Sequence, residues 1–164
     1  DDGDLLGLGT VLRCRSELVG VLVGHDERRL ITVRAVTAGE ILFRVEGRET
    51  PTPTRFSVQV GPGLHVDFGP SRNAADRVAR YPWRFMNHHC EPSTMIRDQN
   101  VIALREIEAG EDVTFNYNTT EYDMAEPFVC RCGSPRCIGL VRGARYLTAA
   151  QRTRLGRTLP EYLR

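Results

Sequence analysis

Four cysteines in two places constrain the fold of this chain more than any other feature. Cys130, Cys132 and Cys137 form a C-x-C-x4-C cluster, and Cys90 lies well upstream in an Asn-His-His-Cys stretch. Three clustered thiols need a fourth ligand to close a tetrahedral zinc site, and Cys90 is the obvious candidate. We therefore predict a structural Zn²⁺ site that clips the end of the chain onto its middle.

Other uses of these cysteines stay open on the sequence alone. A disulfide between Cys130 and Cys132 would close a very small, strained ring, and the chain is too cysteine-poor for a secreted disulfide scaffold. Four thiolates could hold an iron–sulfur cluster, although the spacing matches neither common ferredoxin pattern. His88 and His89 are weaker candidate ligands, because four thiols already complete a site. The fifth cysteine, Cys14, is expected to be an ordinary buried small residue.

Length and charge exclude several classes of protein. The 164 residues fit one domain that can bury its own core. The 22 basic and 21 acidic side chains nearly cancel, and no long basic run is present, so we expect no direct nucleic-acid binding. No apolar stretch approaches membrane-spanning length, and the start, Asp1 to Asp4, lacks the features of a signal peptide. With zinc-bound thiolates, this indicates an intracellular protein, cytoplasmic or nuclear.

Most of the chain is predicted to form short strands, because runs rich in Val, Leu and Ile are bounded by Gly, Pro or polar residues. One helix is expected over residues 71–81, capped by Ser71 and ended by Pro82, and a capping box at Thr148 and Gln151 predicts a short helix near the end. This pattern is typical of a mostly β fold. The predicted strands are 10–14, 19–23, 29–33, 41–45, 56–60, 64–68 and 112–117, with a hairpin over 95–104.

Four segments, in order along the chain, resemble the signatures of the SET-domain family of protein lysine methyltransferases. Residues 84–92 are similar to R-F-x-N-H-x-C-x-P, and residues 110–117 to G-E-E-L-T-F-D-Y. Residues 128–137 resemble the post-SET zinc segment, and residues 33–42 the early G-E-x-I stretch. The resemblance covers about residues 27–143. It implies a fold of small curved sheets with a knot-like C-terminal crossing, which is an exception to the rarity of threaded chains.

The resemblance also implies a domain organisation and an activity. Residues 1–127 would form the SET domain, 128–143 the post-SET zinc-binding segment and 144–164 a C-terminal helical tail. The implied reaction is methyl transfer from S-adenosylmethionine to the ε-amine of a protein lysine. Two alternatives are a repurposed SET-like enzyme that acts on a small molecule in a biosynthetic pathway, and a non-catalytic binding module that kept the fold.

The matched motifs assign roles to particular residues. Tyr117 matches the catalytic tyrosine, whose hydroxyl would orient the amine and the polarised methyl group. Phe115 matches a substrate-channel position where Phe rather than Tyr leaves room, so we expect more than one methyl addition. The expected cofactor-binding residues are Arg84, Phe85, Asn87, His88 and Leu140, and the expected metal ligands are Cys90, Cys130, Cys132 and Cys137.

The chain also departs from the family pattern. Residues 26–30 stand where the family has a G-x-G turn that approaches the cofactor, and arginines do not replace glycines there easily. Residues 45–48 lack a tyrosine that lines the lysine channel in many members, and Asn116 and Ser93 replace an Asp and an Asn. These changes affect the cofactor loop and the channel more than the zinc site. We therefore expect the fold to follow the family pattern more closely than the active site does.

Overall fold

The computed structural model describes residues 9–164, so the chain start considered above lies outside the described range. Within that range the chain folds into small sheets, and most strands have only four or five residues. Three sheets have three strands. The first is β1 (Thr10–Arg13), β2 (Val19–Val23) and β3 (Arg28–Thr32) in that order; the second is β4 (Ile41–Arg44), β10 (Asn100–Ala103) and β9 (Thr94–Arg97); the third is β5 (Arg48–Thr50), β7 (Leu64–Asp67) and β6 (Val58–Gly61).

Two further pairs and two helices complete the described secondary structure, apart from short 3₁₀ turns. β8 (Asn87–His88) runs parallel to β11 (Thr114–Phe115), and β12 (Phe128–Val129) runs antiparallel to β13 (Leu140–Val141). The helices are α1 (Ala74–Arg80) and α2 (Ala149–Leu155). Among residues 9–164 no helix has the length and apolar composition needed to cross a membrane.

One main core forms where the inner faces of the three larger sheets meet α1 and the turn after it. Val21 and Leu30 come from the first sheet, Val101 from the second and Val66 from the third, and each is almost fully buried. Trp83 is 2% exposed, and its indole N–H donates to the carbonyl of Glu46 at 3.0 Å. Burying each such side chain contributes about 1.5–3 kcal/mol, so sheets too short to be stable alone are held by this shared core.

The parallel pair β8–β11 positions the residues of interest and is fixed by buried side chains. Ser93 donates its hydroxyl proton to the carbonyl of Asp112 at 2.9 Å and accepts the N–H of Thr114 at 3.0 Å. Thr94 donates to the carbonyl of Thr114 at 2.8 Å. Breaking these buried hydrogen bonds would leave unpaired polar groups at about 1–3 kcal/mol each. These bonds hold β11 against the start of β9, and β11 in turn pairs with β8.

Several local predictions needed correction. The helix begins at Ala74 because the side chain of Asn73, and not that of Ser71, accepts the N–H of Asp76 at 2.8 Å. The predicted strand 56–60 begins at Val58, since Phe56 lies in the loop before it. Only Thr114–Phe115 of the predicted strand 112–117 is extended in a sheet, and β5 (Arg48–Thr50) was not predicted.

Other local predictions are confirmed. Asp98 and Gln99 both have positive φ, which gives the tight two-residue turn of the predicted hairpin. The Thr148–Gln151 capping box starts α2. Cys14 packs against the main core as a structural cysteine, although it is half-buried and not fully buried as predicted, and burial raises the pKa of its thiol to about 12.

Candidate active site and metal centre

The four cysteines predicted to bind metal lie together. One potential ligand atom from each of Cys90, Cys130, Cys132 and Cys137 lies within 4.8 Å of the other three. The Sγ atoms of Cys90 and Cys130 are 3.9 Å apart. A tetrahedral site with Zn–S bonds of about 2.3 Å separates its sulfurs by ~3.8 Å, so the spacing fits one zinc ion held by four thiolates.

The backbone around the cluster supports the same interpretation. Gly133 and Gly139 have positive φ, a conformation that L side chains rarely adopt, and these turns fold the C-x-C-x4-C segment back on itself. The N–H of Ile138 points at the sulfur of Cys90 from 3.4 Å. Such outer hydrogen bonds to ligating sulfurs are typical of metal sites.

His88 joins the cysteine cluster to Tyr117. Its Nδ1 accepts the backbone N–H of Tyr117 at 3.1 Å, and its Nε2 lies 3.3 Å from the sulfur of Cys90. Both ring nitrogens are therefore engaged. Burial, with a smaller contribution from His89, lowers the pKa of His88 to about 4, so the ring is neutral at physiological pH.

The hydroxyl of Tyr117 is held by the backbone. It donates to the carbonyl of Met86 at 2.6 Å. The ring packs against Phe115, His88 and Phe128, with centroid distances of 4.7, 5.3 and 5.8 Å. Burial raises the pKa of Tyr117 to about 12, so its hydroxyl keeps its proton at neutral pH.

Tyr117 faces a cleft of about 540 Å³, which we call the tyrosine cleft. Its other walls come from the loop 54–58, the 3₁₀ turn at Trp83, and residues 120–128. The walls are largely aromatic and apolar, which suits the aliphatic part of an acceptor. Sequence reasoning assigned no site role to most of these residues, among them Phe56, Trp83, Met86, Glu121 and Phe128.

A second cavity of about 530 Å³ lies at the turn between β2 and β3, and we call it the hairpin cavity. It is lined by residues 23–28 together with Arg84, Phe85 and Asn87. The unusual stretch 26–30 is thus the turn and first half of β3, closed by a hydrogen bond from the N–H of Gly24 to the carbonyl of Glu27 at 2.9 Å. Three of the predicted cofactor-binding residues therefore line one cavity.

Arg84 borders both the tyrosine cleft and the hairpin cavity. Its guanidinium lies 3.9 Å from the ring centroid of Phe56, and its buried Nε has no hydrogen-bond partner among residues 9–164. Burial lowers the pKa of Arg84, yet an arginine side chain stays charged at any physiological pH. An unpaired buried donor beside a cavity is the kind of group that an anionic ligand would satisfy.

Leu140, the remaining predicted cofactor residue, is placed differently. It lies in β13 opposite Val129, and the two side chains are 47% and 61% exposed. The neighbouring Phe128 contacts the ring of His88 at a centroid distance of 5.7 Å. The exposed apolar pair is therefore close to the predicted site, and neither side chain lines the hairpin cavity.

Sequence comparison decides the family. The family profile described as SET domain matches residues 27–118, which is more than half of the chain. The chain belongs to the SET-domain family. The motif at 84–92 and the segment 110–117, which contain the parallel pair β8–β11, both lie inside the matched range.

Individual relatives narrow the class to methyltransferases. The methyltransferase flvH of Aspergillus flavus is 33% identical over 121 residues, which cover 71% of this chain and 62% of that protein. A histone-lysine N-methyltransferase of Aspergillus oryzae, H3 lysine-36 specific, is 38% identical over 68 residues, which cover 37% of this chain and 7% of that protein. The match thus spans less than two thirds of these curated relatives.

Solved structures confirm the mostly β SET fold. A crystal structure of KRYPTONITE in complex with mCHG DNA and SAH has a TM-score of 0.58 with 18% identity, and covers 79% of this chain and 30% of that one. A second KRYPTONITE structure, with mCHH DNA, an H3(1-15) peptide and SAH, has a TM-score of 0.52 with 16% identity over 73% of this chain and 28% of that one. At this identity the likeness shows the fold alone.

Proposed function

We propose that this SET-domain protein transfers a methyl group from S-adenosylmethionine to an amine, and that the acceptor is a lysine ε-amine on a protein. The observation that carries the proposal is the Tyr117 hydroxyl, which is fixed on the Met86 carbonyl at the tyrosine cleft. Arg84 separates this cleft from the hairpin cavity, because it lines both. The matched family and its methyltransferase relatives support the reaction class. The H3 lysine-36 specificity of one relative supports the lysine acceptor.

The hairpin cavity is the proposed place for the cofactor. Arg84 and Asn87 would hold its polar groups, Phe85 and His88 would contact its rings, and the exposed Leu140 would cover the adenine. When bound, S-adenosylmethionine supplies an electrophilic methyl on a cationic sulfur. The Nε of Arg84 fits a carboxylate-bearing ligand, because it is a desolvated donor with no hydrogen-bond partner in the described part of the chain.

The residues of the tyrosine cleft would then position the acceptor. A lysine amine has a pKa of about 10.4 in water, so it must lose a proton before its lone pair can attack. The aromatic walls exclude water from the amine, and the Tyr117 hydroxyl and Met86 carbonyl offer polar atoms that orient it. Phe115, buried beside Tyr117, offers no hydroxyl to hold a water, so we propose that repeated methylation is permitted.

We propose a structural zinc ion in the four-cysteine cluster, which would fix residues 128–143 beside the site. We call residues 128–143 together with Cys90 the metal lobe. Phe128 is two residues before Cys130 and contacts both Tyr117 and His88, so the metal lobe supplies one wall of the tyrosine cleft. Reduced thiolates agree with the intracellular location that we also propose, cytoplasmic or nuclear.

A small-molecule amine is a second candidate acceptor. The relative that covers the larger share of this chain is named only a methyltransferase, with no histone in its name. In addition, residues 45–48 carry no tyrosine, and none of them lines the tyrosine cleft, so this chain lacks the channel tyrosine that the family resemblance leads one to expect there. The choice between a protein lysine and a small amine is a choice of acceptor within one reaction.

The experiment compares Tyr117→Phe with the wild type in a methyl-transfer assay, using lysine peptides and small amines as acceptors. We expect the rate to fall by about 100-fold or more, because the phenol hydroxyl is removed from the site where the amine is oriented. Binding of S-adenosylhomocysteine, measured by calorimetry, should be nearly unchanged.

Tyr122→Phe is the matched control, since Tyr122 is 47% exposed and does not line the tyrosine cleft. It should keep the wild-type rate. Transfer that survives in Tyr117→Phe would contradict the role of Tyr117. A wild-type protein that binds the cofactor and transfers to no acceptor would contradict the proposed function.

A further inference from the structure

Glu121 is a carboxylate in the tyrosine cleft that none of the sequence motifs singled out. The backbone turns directly after Tyr117, and the N–H of Glu121 donates to the Tyr117 carbonyl at 2.9 Å. Residues four apart in such a turn lie on the same side, so both side chains line the same cleft. An anionic group thus lies among aromatic walls, one turn from the tyrosine that carries the proposed function.

One oxygen of this carboxylate is fixed and the other is not. Oε2 accepts the N–H of Gln59 and the hydroxyl of Thr120, both at 2.8 Å. Oε1 accepts no hydrogen bond from residues 9–164, and Glu121 forms no ion pair within that range. A purely structural cap of β6 needs only Oε2. The rigidly held carboxylate therefore keeps one free acceptor at the cleft.

The other charged groups of the cleft are arranged differently. Glu126 is paired with Arg55 at 3.0 Å, and both side chains are well exposed at the mouth. Arg84 lies on the side shared with the hairpin cavity and stacks on Phe56. Glu121 is therefore the unpaired anion of the tyrosine cleft among the described residues, and a cation there would be attracted to it.

We propose that Glu121 selects the acceptor by charge: its carboxylate binds the ammonium group of an incoming amine, and neutral or anionic acceptors are rejected. The inference rests on the proposed amine methyltransferase function and deepens it. It concerns binding, because the ammonium must still lose one proton before its nitrogen attacks. Glu121 is thus a specificity-determining residue, and the quantity that tests its role is the affinity of the protein for the amine.

Burial supports this choice of ligand. Desolvation raises the pKa of Glu121 to about 7, so its charge is destabilised in the empty cleft. A cation that entered would relieve that cost, whereas a second anion would add to it. The nearby phenols of Tyr117 and Tyr162 have raised pKa values and stay neutral, so neither adds a second negative charge beside Glu121.

The test measures binding of two probes that differ in charge and hardly in shape, n-pentylamine and 1-pentanol. Trp83 is the single tryptophan of the chain and lines the tyrosine cleft, so its fluorescence reports occupancy without turnover. The wild type, saturated with S-adenosylhomocysteine, should bind the amine about tenfold more tightly than the alcohol, as a charge-assisted hydrogen bond predicts. Glu121→Gln should abolish that preference.

Glu121→Gln keeps a carbonyl oxygen for the Gln59 and Thr120 hydrogen bonds, so the fold should survive the loss of charge. Glu126→Gln removes the same charge from the same cleft, where Arg55 already neutralises it, and should keep the preference for the amine. A wild type without that preference, or a Glu121→Gln variant that retains it, would overturn the inference. Absence of methyl transfer would count against the proposed function only, since this assay needs no reaction.

Discussion

The metal lobe and the tyrosine cleft are neighbours built in opposite ways. In the metal lobe, all four candidate ligands are cysteines from two short motifs, and their sulfurs converge within 4.8 Å. In the tyrosine cleft, the walls come from four separate stretches, and the matched motifs assign a role to only three of the lining residues, Arg84, Phe115 and Tyr117. A metal site demands a fixed set of ligand atoms, whereas a cleft can be built from many side chains of similar size and polarity.

The two regions also differ in how they relate to the motifs that resemble the family. Tyr117, Met86 and the four cysteines lie in segments that resemble SET-family signatures. Glu121 and Phe56 lie outside those segments and contribute to the charge and shape of the cleft. Substrate choice should therefore respond to cleft substitutions that leave the metal lobe intact.

Removing the metal should change the protein's stability and binding more than any other substitution considered, because the metal lobe supplies one wall of the cleft. We expect the wild type to contain one zinc per chain by elemental analysis, and Cys130→Ser to lose it. The variant should unfold at lower temperature and become sensitive to protease across residues 128–143. Affinity for S-adenosylhomocysteine should fall by about tenfold, equivalent to ~1.4 kcal/mol.

Cys14→Ala is the control for thiol loss, since Cys14 is not part of the cluster. It should retain one zinc and the wild-type cofactor affinity. If the zinc-free protein bound the cofactor as well as the metal-bound form, residues 128–143 and the cofactor site would be independent, and the proposed covering role of Leu140 would be wrong.

The carboxyl of Glu121 in the tyrosine cleft should make the stability of the protein depend on pH. This effect should be smaller than that of removing the metal. The pKa of Glu121 is raised to about 7 in the folded protein, above the ordinary value of about 4.3. The folded state therefore binds the extra proton, so the stabilisation is complete below about pH 4.3 and is lost as pH rises through 7. Relative to Glu121→Gln, the wild type should lose a few degrees of Tm between pH 5 and about pH 8.5.

The groups facing Glu121 do not titrate in this window. Tyr117 and Tyr162 have raised pKa values and remain protonated, and Arg84 remains charged. Measuring Tm against pH for the wild type, Glu121→Gln and Glu126→Gln isolates the carboxyl. A Glu121→Gln variant whose Tm paralleled the wild type across the range would show that Glu121 ionises as an ordinary exposed group.

The sequence predicted the parts of the molecule that depend on short-range chemistry. The four cysteines, the α2 capping box and the two-residue turn of the β9–β10 hairpin follow from spacing and turn preferences. Strand positions were accurate where apolar runs were bounded by turn residues, as for Val19–Val23. The start of α1 was misjudged, because Ser71 and Asn73 are both good caps, and in the structure the side chain of Asn73 accepts the N–H of Asp76.

The cleft could not be predicted in the same way. Phe56 lies in a loop and not in a strand. Alternation of apolar and polar residues predicts which way a strand side chain faces, and it predicts nothing about the contacts of a loop residue. Glu121 is an unremarkable acidic residue in sequence, and its burial depends on Gln59 in β6 and Tyr162 near the C-terminus. Such contacts join residues far apart in the chain, so only the folded structure reveals an unpaired carboxylate there.

The most direct test of the central claim is the fate of the methyl group. Methyl-labelled S-adenosylmethionine would be incubated with the zinc-loaded protein and a mixture of lysine peptides and small amines, and the labelled products identified by mass spectrometry. The chain contains no lysine, so label on a lysine side chain must come from the acceptor. We predict labelled N-methyl groups on an amine acceptor. Cofactor binding with no label on any nitrogen would contradict the assignment of this protein as an amine methyltransferase.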